Sequence, residues 1–386
     1  MNQNLNNVES PPIDYFNHLL DNVKTNIQKI SFGHGIPRFT PNEYANINPQ
    51  LFDHSNSFKY TDIRGEKVLR DYLSESLTNK LSFSVNPDEN LIITPGANSA
   101  IFKSLFLLLN KNDEVLVISP VYFNYIMAIH MIGAKPIDIT SNPDSGFQLN
   151  INSIINSITS KTKAIIINSP NNPTGAVYKN DDLEELFQLC KSKNIKVIFD
   201  ITYYEYIHSN NKSNYLSLLK SFDNVIITGS FSKTFGITGL RIGYIATKSN
   251  YINELCKIQD TISICASSLS QQILIDLLTY EKLAIDKNLN SVKSSKEILI
   301  SNLINIPQLD WVQTNGAFYA FVKIKNNINS WNFTEKLINS KSVLVLPGSI
   351  FGTQWKSYIR LAYGALSSDD VDEGMKRIKL FIEEST

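Results

Sequence analysis

The stretch Ser230-Phe231-Ser232-Lys233-Thr234-Phe235-Gly236-Ile237-Thr238-Gly239-Leu240-Arg241-Ile242-Gly243-Tyr244, entered from Asn224-Val225-Ile226-Ile227-Thr228, decides how this chain reads. The β-branched run before it predicts a buried strand. At its end stand a serine, a lysine and, further on, an arginine, with small residues between them. A lysine at the end of a buried strand is a costly place for a charge. The cost makes sense when the amine is a nucleophile, because burial lowers its pKa and frees the lone pair for a Schiff base. Ser230 and Arg241 on either side suit an anion, most simply a phosphate. A solvated lysine on a surface loop is the plainer reading, and an isolated SxxK would favour it. The rest of the chain reverses that preference.

Working outward, short apolar runs alternate with helical patterns. Strands are expected over 90–94, 114–118, 163–167, 196–199 and 225–228. Helices are expected over 13–30, 66–81, 100–109 and 181–193, and through most of 251–303. Continuous apolar strands between helices imply a parallel or mixed sheet covered on both faces. A polar cluster follows each of the five strands: Gly96-Ala97-Asn98, Ser119 to Tyr122, Asn168 to Gly175, Asp200 to Tyr203, and the opening motif. The carboxyl edge of an open α/β sheet is where ligands bind. The last ninety residues carry strands of their own (316–322, 342–346, 357–363), with helices over 334–341 and 369–384, and read as a second, small α+β domain. Residues 1 to about 12 read as a loose tail.

The chain has 386 residues, 42% of them hydrophobic, and zero formal net charge. That suffices for one large domain and a smaller one. Zero net charge argues against nucleic-acid and anionic-membrane partners. Cys190, Cys256 and Cys265 are an odd number without CxxC spacing, which suits reduced thiols in a cytoplasmic protein and no metal site. The polar N-terminus lacks a signal pattern, and no apolar run spans a bilayer. Arginine occurs only at 38, 64, 70, 241, 360 and 377, so each merits a check for bidentate binding.

Asp200 could cap a turn, or it could keep a pyridine nitrogen protonated so that the ring absorbs electrons. Tyr203 could pack on the core or bond a phenolic oxygen. Asn172, in Asn172-Pro173-Thr174-Gly175, could simply turn the chain, or it could present its amide to that oxygen or to a carboxylate. Gly96, Ala97 and Asn98 open a helix whose free N–H groups suit a phosphate. Tyr122 could fill core or lie on a flat ring. Arg360, among apolar neighbours, needs a carboxylate partner: a substrate or an internal acid. A lysine Schiff base beside a phosphate cradle is what pyridoxal phosphate (PLP) requires.

Taken together, these motifs resemble the class I/II aminotransferases of PLP fold-type I, the aspartate-aminotransferase superfamily, from Gly35 to the C-terminal helix. The resemblance implies an α/β fold with a large, mixed but mostly parallel seven-stranded sheet plus a smaller α+β domain. The expected division is 1–45 (joining the small domain), 46–295 (large, PLP-binding) and 296–386 (small). It implies that Lys233 binds PLP covalently and shuttles a proton, that Asp200 pairs with the ring nitrogen, and that Asn172 and Tyr203 bond the ring oxygen. Tyr122 would stack on the ring. Gly96, Ala97, Asn98, Ser230 and Arg241 would hold the phosphate. Tyr60 resembles a tyrosine that reaches the neighbouring subunit's phosphate, which implies a homodimer. Arg360, Gly35 and Asn172 resemble the α-carboxylate clamp. Arg38 stands where many relatives have an acidic residue, and is either a ligand for a substrate side chain or a surface group.

The implied activity is transfer of an amino group from an L-amino acid to a 2-oxo acid through a pyridoxamine form of the cofactor. A C–S β-lyase on the same scaffold needs the same residues and is the alternative. A regulator of this fold would carry a DNA-binding extension, and a nicotinamide dehydrogenase would need GxGxxG after a strand.

Overall fold

A computed structural model of the chain describes residues 2–24, 26–47, 58–208 and 214–385. The first elements are α1 (Pro12–Asn22), β1 (Ile30–Ser31), α2 (Lys67–Thr78), β2 (Leu91–Thr94) and α3 (Ala97–Leu108). Then come β3 (Glu114–Ser119), α4 (Phe123–Ile132), β4 (Lys135–Thr140), α5 (Ile151–Ser157), β5 (Thr162–Asn168), α6 (Asn180–Ser192) and β6 (Lys196–Asp200). They are followed by β7 (Val225–Ser230), α7 (Phe231–Thr234), β8 (Gly243–Ala246), α8 (Ser249–Ser263), α9 (Ser268–Leu277) and α10 (Glu281–Ile304). The chain closes with β9 (Leu309–Trp311), β10 (Tyr319–Ile324), α11 (Ser330–Lys341), β11 (Val343–Leu344), β12 (Leu346–Pro347), β13 (Tyr358–Ala362) and α12 (Ser368–Ser385).

Seven strands form the large sheet in the order β2-β8-β7-β6-β5-β3-β4. Only β8 runs against its neighbours, and every other pairing is parallel. The two faces read directly off the strands. Val115 and Val117 face a core shared with Leu105 and Ile129, whereas Leu116 and Ile118 face one shared with Leu183 and Leu186. Each such side chain, fully buried, is worth about 1.5–3 kcal/mol. Apolar residues on both faces leave only the strand ends for polar chemistry.

Four strands form the small antiparallel sheet β12-β13-β10-β9. The N-terminal segment belongs beside it. β1 pairs in parallel with β11, and Phe16 of α1 packs its ring 4.7 Å from that of Trp331 on α11. The 24-residue α10 runs straight through residue 295. Ala284 near its start lies in the core of the large sheet, and Val292, Leu299 and Leu303 lie in that of the small one.

Four expectations change. The helix expected over 13–30 stops at Asn22; Ile27 is exposed, and Ile30 pairs with Val343 instead. Tertiary pairing overrode the local period. The tail is not loose: Gln3–Asn7 forms a short 3-10 turn, and Asn4 Nδ2 donates to Met131 O at 3.1 Å. β4 was not foreseen, because Pro136 disguises a strand that tolerates it at the sheet edge. β8 was hidden inside the Arg241–Tyr244 motif. Residues 48–57, next to the expected boundary at 45/46, lie outside the described residues.

Among the described residues no single helix is long and apolar enough to cross a membrane, and no His, Cys, Asp or Glu cluster is arranged for a metal. The three cysteines are free, and Cys190 and Cys265 are buried.

Candidate active site

The loops after β2, β3, β5, β6 and β7 meet around one open cavity. Its wall holds Ala97, Asn98, Tyr122, Asn172, Asp200, Tyr203, Ser230, Lys233 and Arg241, and also Tyr125, Asn168, Thr202 and Ser232. Lys233 stands in the short α7, whose N-cap is Ser230: its Oγ accepts from Ser232 N at 3.1 Å. Lys233 Nζ donates to Gly35 O at 2.8 Å, which brings the expected Gly35 to the site through its carbonyl. Burial, followed by the like charges of Arg241 and Arg360, brings the Lys233 ammonium down from 10.5 to about 7.

That depression has a consequence for stability. A lysine with a folded pKa below its unfolded one loses its proton first in the folded state. Between about pH 7 and 10.5 the unfolded chain then binds more protons, so stability rises with pH. Lys103, which donates to Gln259 Oε1 at 2.6 Å and is brought by burial to about 8, acts in the same direction. The melting temperature of the cofactor-free protein is expected to climb from neutral pH into this window. Lys233→Met should reduce the slope. A flat profile in thermal melts across the window would contradict the burial of both amines.

Asp200 ends β6 with both oxygens engaged. Oδ1 accepts from Thr202 N at 2.9 Å, and Oδ2 accepts from Tyr125 OH at 2.5 Å. Burial raises its pKa, and the bonds from Thr202 and Tyr125 oppose that rise. Tyr125 escaped the sequence reading. It lies one helical turn beyond Tyr122, and the two rings meet edge-on at 5.5 Å. Asn168 Oδ1 accepts from Asn172 N at 2.8 Å and so fixes the loop after β5.

At the head of α3, no side chain caps the helix, so its first N–H groups face the cavity. Gly96 has φ 82° and ψ 167°, a conformation essentially reserved for glycine. A Cβ there would collide with the Arg241 guanidinium, which lies against it. Buried Ser232 Oγ has no partner among the described residues. Gly96→Ala is expected to cost about 1–3 kcal/mol in seating this cradle, or roughly 5- to 150-fold in affinity for PLP by equilibrium dialysis. An unchanged affinity would mean that the α3 terminus and Arg241 do not hold a phosphate.

Arg360 does not line the cavity; it lies one hydrogen bond behind it. Nη1 donates to Asn172 Oδ1 at 3.0 Å and Nη2 to Gly33 O at 2.6 Å. Its guanidinium lies over the rings of Tyr319 (4.8 Å) and Phe351 (5.3 Å). It forms no salt bridge among the described residues, and its Nε has no partner. Tyr203 lines the cavity, but its hydroxyl lies 2.6 Å from that of Tyr319, a residue the sequence reading missed. Two expected residues are not brought to the cavity. Arg38 is exposed, with its guanidinium 5.2 Å above the Phe39 ring. Tyr60 is 78% exposed.

A depressed amine, a buried carboxylate, an unpaired serine hydroxyl and an uncapped helix end with an arginine over it suit the aldehyde, ring nitrogen and phosphate of PLP. The profile for "Aminotransferase class I and II" matches residues 27–378. The chain is 33% identical over 333 residues to an aspartate aminotransferase of Sulfurisphaera tokodaii, covering 84% of this chain and 82% of that one. Among solved structures it resembles an aspartate aminotransferase of Thermotoga maritima (TM-score 0.89, 26% identity, 99% and 100% covered). It also resembles an aromatic aminotransferase of Pyrococcus horikoshii (TM-score 0.86, 29% identity, 96% and 99% covered). This chain belongs to the class I and II aminotransferases, PLP-dependent enzymes that move amino groups between amino acids and 2-oxo acids.

Proposed function

We propose that this enzyme carries PLP on Lys233 and exchanges amino groups between an L-amino acid with an uncharged side chain and a 2-oxo acid. What supports the assignment of roles most is that the Lys233 amine and the Asp200 carboxylate share one cavity, with Arg360 joined to its wall through Asn172. The bound cofactor supplies an electron sink for bond breaking at the substrate Cα. Asp200 holds the proton on the ring nitrogen. Lys233 Nζ, poised near neutrality, would take and return the proton at the substrate Cα. Gly96, Ala97, Asn98, Ser230 and Arg241 hold the phosphate. Tyr122 covers the ring, and Asn172 and Tyr203 face its oxygen.

Arg360, with Asn172 and the Gly35 strap, takes the α-carboxylate. Gly33 O is a neutral acceptor, and a carboxylate competing for the same guanidinium makes bonds about twice as strong. A neutral side chain fits the charges that this chain itself brings to the cavity. Among the described residues only Lys233 and Arg241 line the cavity as cations, and both have other work. Arg38 lies outside it.

We infer the three-part division 1–45, 46–295 and 296–386, a cytoplasmic location, and a homodimer in which exposed Tyr60 reaches the partner's phosphate cradle. The test is to add single amino acids, without oxo acid, to the PLP-loaded protein and follow its absorbance. Aromatic or aliphatic amino acids should convert it to the pyridoxamine form more effectively than aspartate. Conversion by aspartate alone would sink the neutral-side-chain reading. Pyruvate and ammonia in place of the oxo acid would indicate the C–S β-lyase.

A further inference from the structure

Tyr319 opens β10 and is fully buried. Three contacts meet on it. Its hydroxyl lies 2.6 Å from that of Tyr203, which comes from the large sheet. Its ring lies 4.8 Å beneath Arg360 Cζ. Gly35 abuts the same hydroxyl so closely that a Cβ there would overlap it, and Gly35 O accepts from Lys233. The other titratable groups facing the pair are Tyr122, at the head of α4, Tyr125, one turn further along that helix, and Tyr206, in the loop that carries Tyr203.

Either oxygen could donate, and the surroundings decide. A cation over a phenol ring draws charge from it and favours its release of a proton. Arg360 lies over the ring of Tyr319 and over no ring of Tyr203 among the described residues, so Tyr319 is the phenol whose proton release it favours most. The more acidic phenol is the donor. Tyr203 thus keeps its own O–H for the cavity it lines. A hydroxyl that accepts a hydrogen bond donates a stronger one.

We propose that Tyr319 is a positioning residue: by donating to the Tyr203 hydroxyl it fixes that group's direction and strengthens its bond to the phenolic oxygen of the cofactor. The proposal rests on the reading of Lys233 and Tyr203 as cofactor ligands. Tyr319→Phe keeps the ring, and with it the Arg360 contact, and removes only the hydroxyl. PLP-loaded wild type and variant are titrated with pH while the near-visible absorbance is followed. Weaker donation from Tyr203 leaves the phenolic oxygen more basic, so it retains the proton it shares with the lysine-linked nitrogen to higher pH. The midpoint should rise by roughly half a unit to one unit, the worth of one net hydrogen bond.

Once Tyr203→Phe is present, adding Tyr319→Phe should move the midpoint no further, because the effect runs through Tyr203. An unmoved or lowered midpoint in Tyr319→Phe overturns the proposal, and so does an equal rise on top of Tyr203→Phe. A lower melting temperature with an unmoved midpoint would make Tyr319 a packing residue only. If wild type itself shows no pH-dependent absorbance after taking up PLP, the assignment of Lys233 fails, and the proposal with it.

Discussion

Lys233→Ala should reduce kcat by at least about 10⁴-fold, the upper range of what a positioned acid–base group contributes. The amine stands at the wall of a cavity where burial and two neighbouring cations hold its pKa at about 7. It therefore has a free lone pair at physiological pH, which an exposed lysine lacks. No other lysine lines the cavity among the described residues, so none can substitute. PLP should still bind, because the phosphate cradle and Asp200 are untouched. The measurement is twofold: turnover with the best amino acid, and peptide mass spectrometry after borohydride reduction. Wild type should carry the cofactor mass on the Lys233 peptide and the variant should not. Turnover within tenfold of wild type would sink the assignment.

Arg360→Met is expected to separate function from stability. The guanidinium is 2% exposed and hydrogen-bonded to Gly33 O and Asn172 Oδ1, and it makes no salt bridge among the described residues. Burial lowers its pKa, which is the mark of a cation held at a cost. Removing one partner of a buried charge pair costs about 2–5 kcal/mol, so kcat/KM should fall roughly 30-fold to several-thousand-fold, mostly through KM. Arg360→Lys should recover little, because an ammonium cannot make the bidentate bond. The apo protein should melt no lower than wild type, since an apolar side chain of similar volume replaces an uncompensated charge. A large loss of melting temperature with KM unchanged would make Arg360 a structural tie instead.

How far the sequence leads depends on what each residue needs for recognition. Asp200, Asn172 and Lys233 each follow a β-branched run, so strand and polar cluster together mark the sheet edge. Arg360 is legible because a charge amid Tyr358–Ala362 has no local explanation. Tyr125 and Tyr319 are different. Each lies in an apolar run where an aromatic ring is ordinary core, and only the partner oxygens, on Asp200 and Tyr203, reveal a second use. Arg38 shows the converse. The sequence leaves it either a ligand or a surface group, and in this chain it lies at the surface. The β1–β11 pair joins residues more than three hundred positions apart, which no local period can announce.

One last consequence follows from α10. At 1.5 Å per residue, its 24 residues make a rod roughly 36 Å long. Its middle stretch carries the ties: Asn288 Oδ1 accepts from Phe39 N (3.0 Å), Ser295 Oγ donates to Leu366 O (3.0 Å) and Lys296 Nζ donates to Thr314 O (2.7 Å). The rod enters the core of the large sheet near its start and that of the small sheet along the rest of its length, with no break between them. A shift of the small sheet over the cavity would therefore have to bend this rod or carry it along.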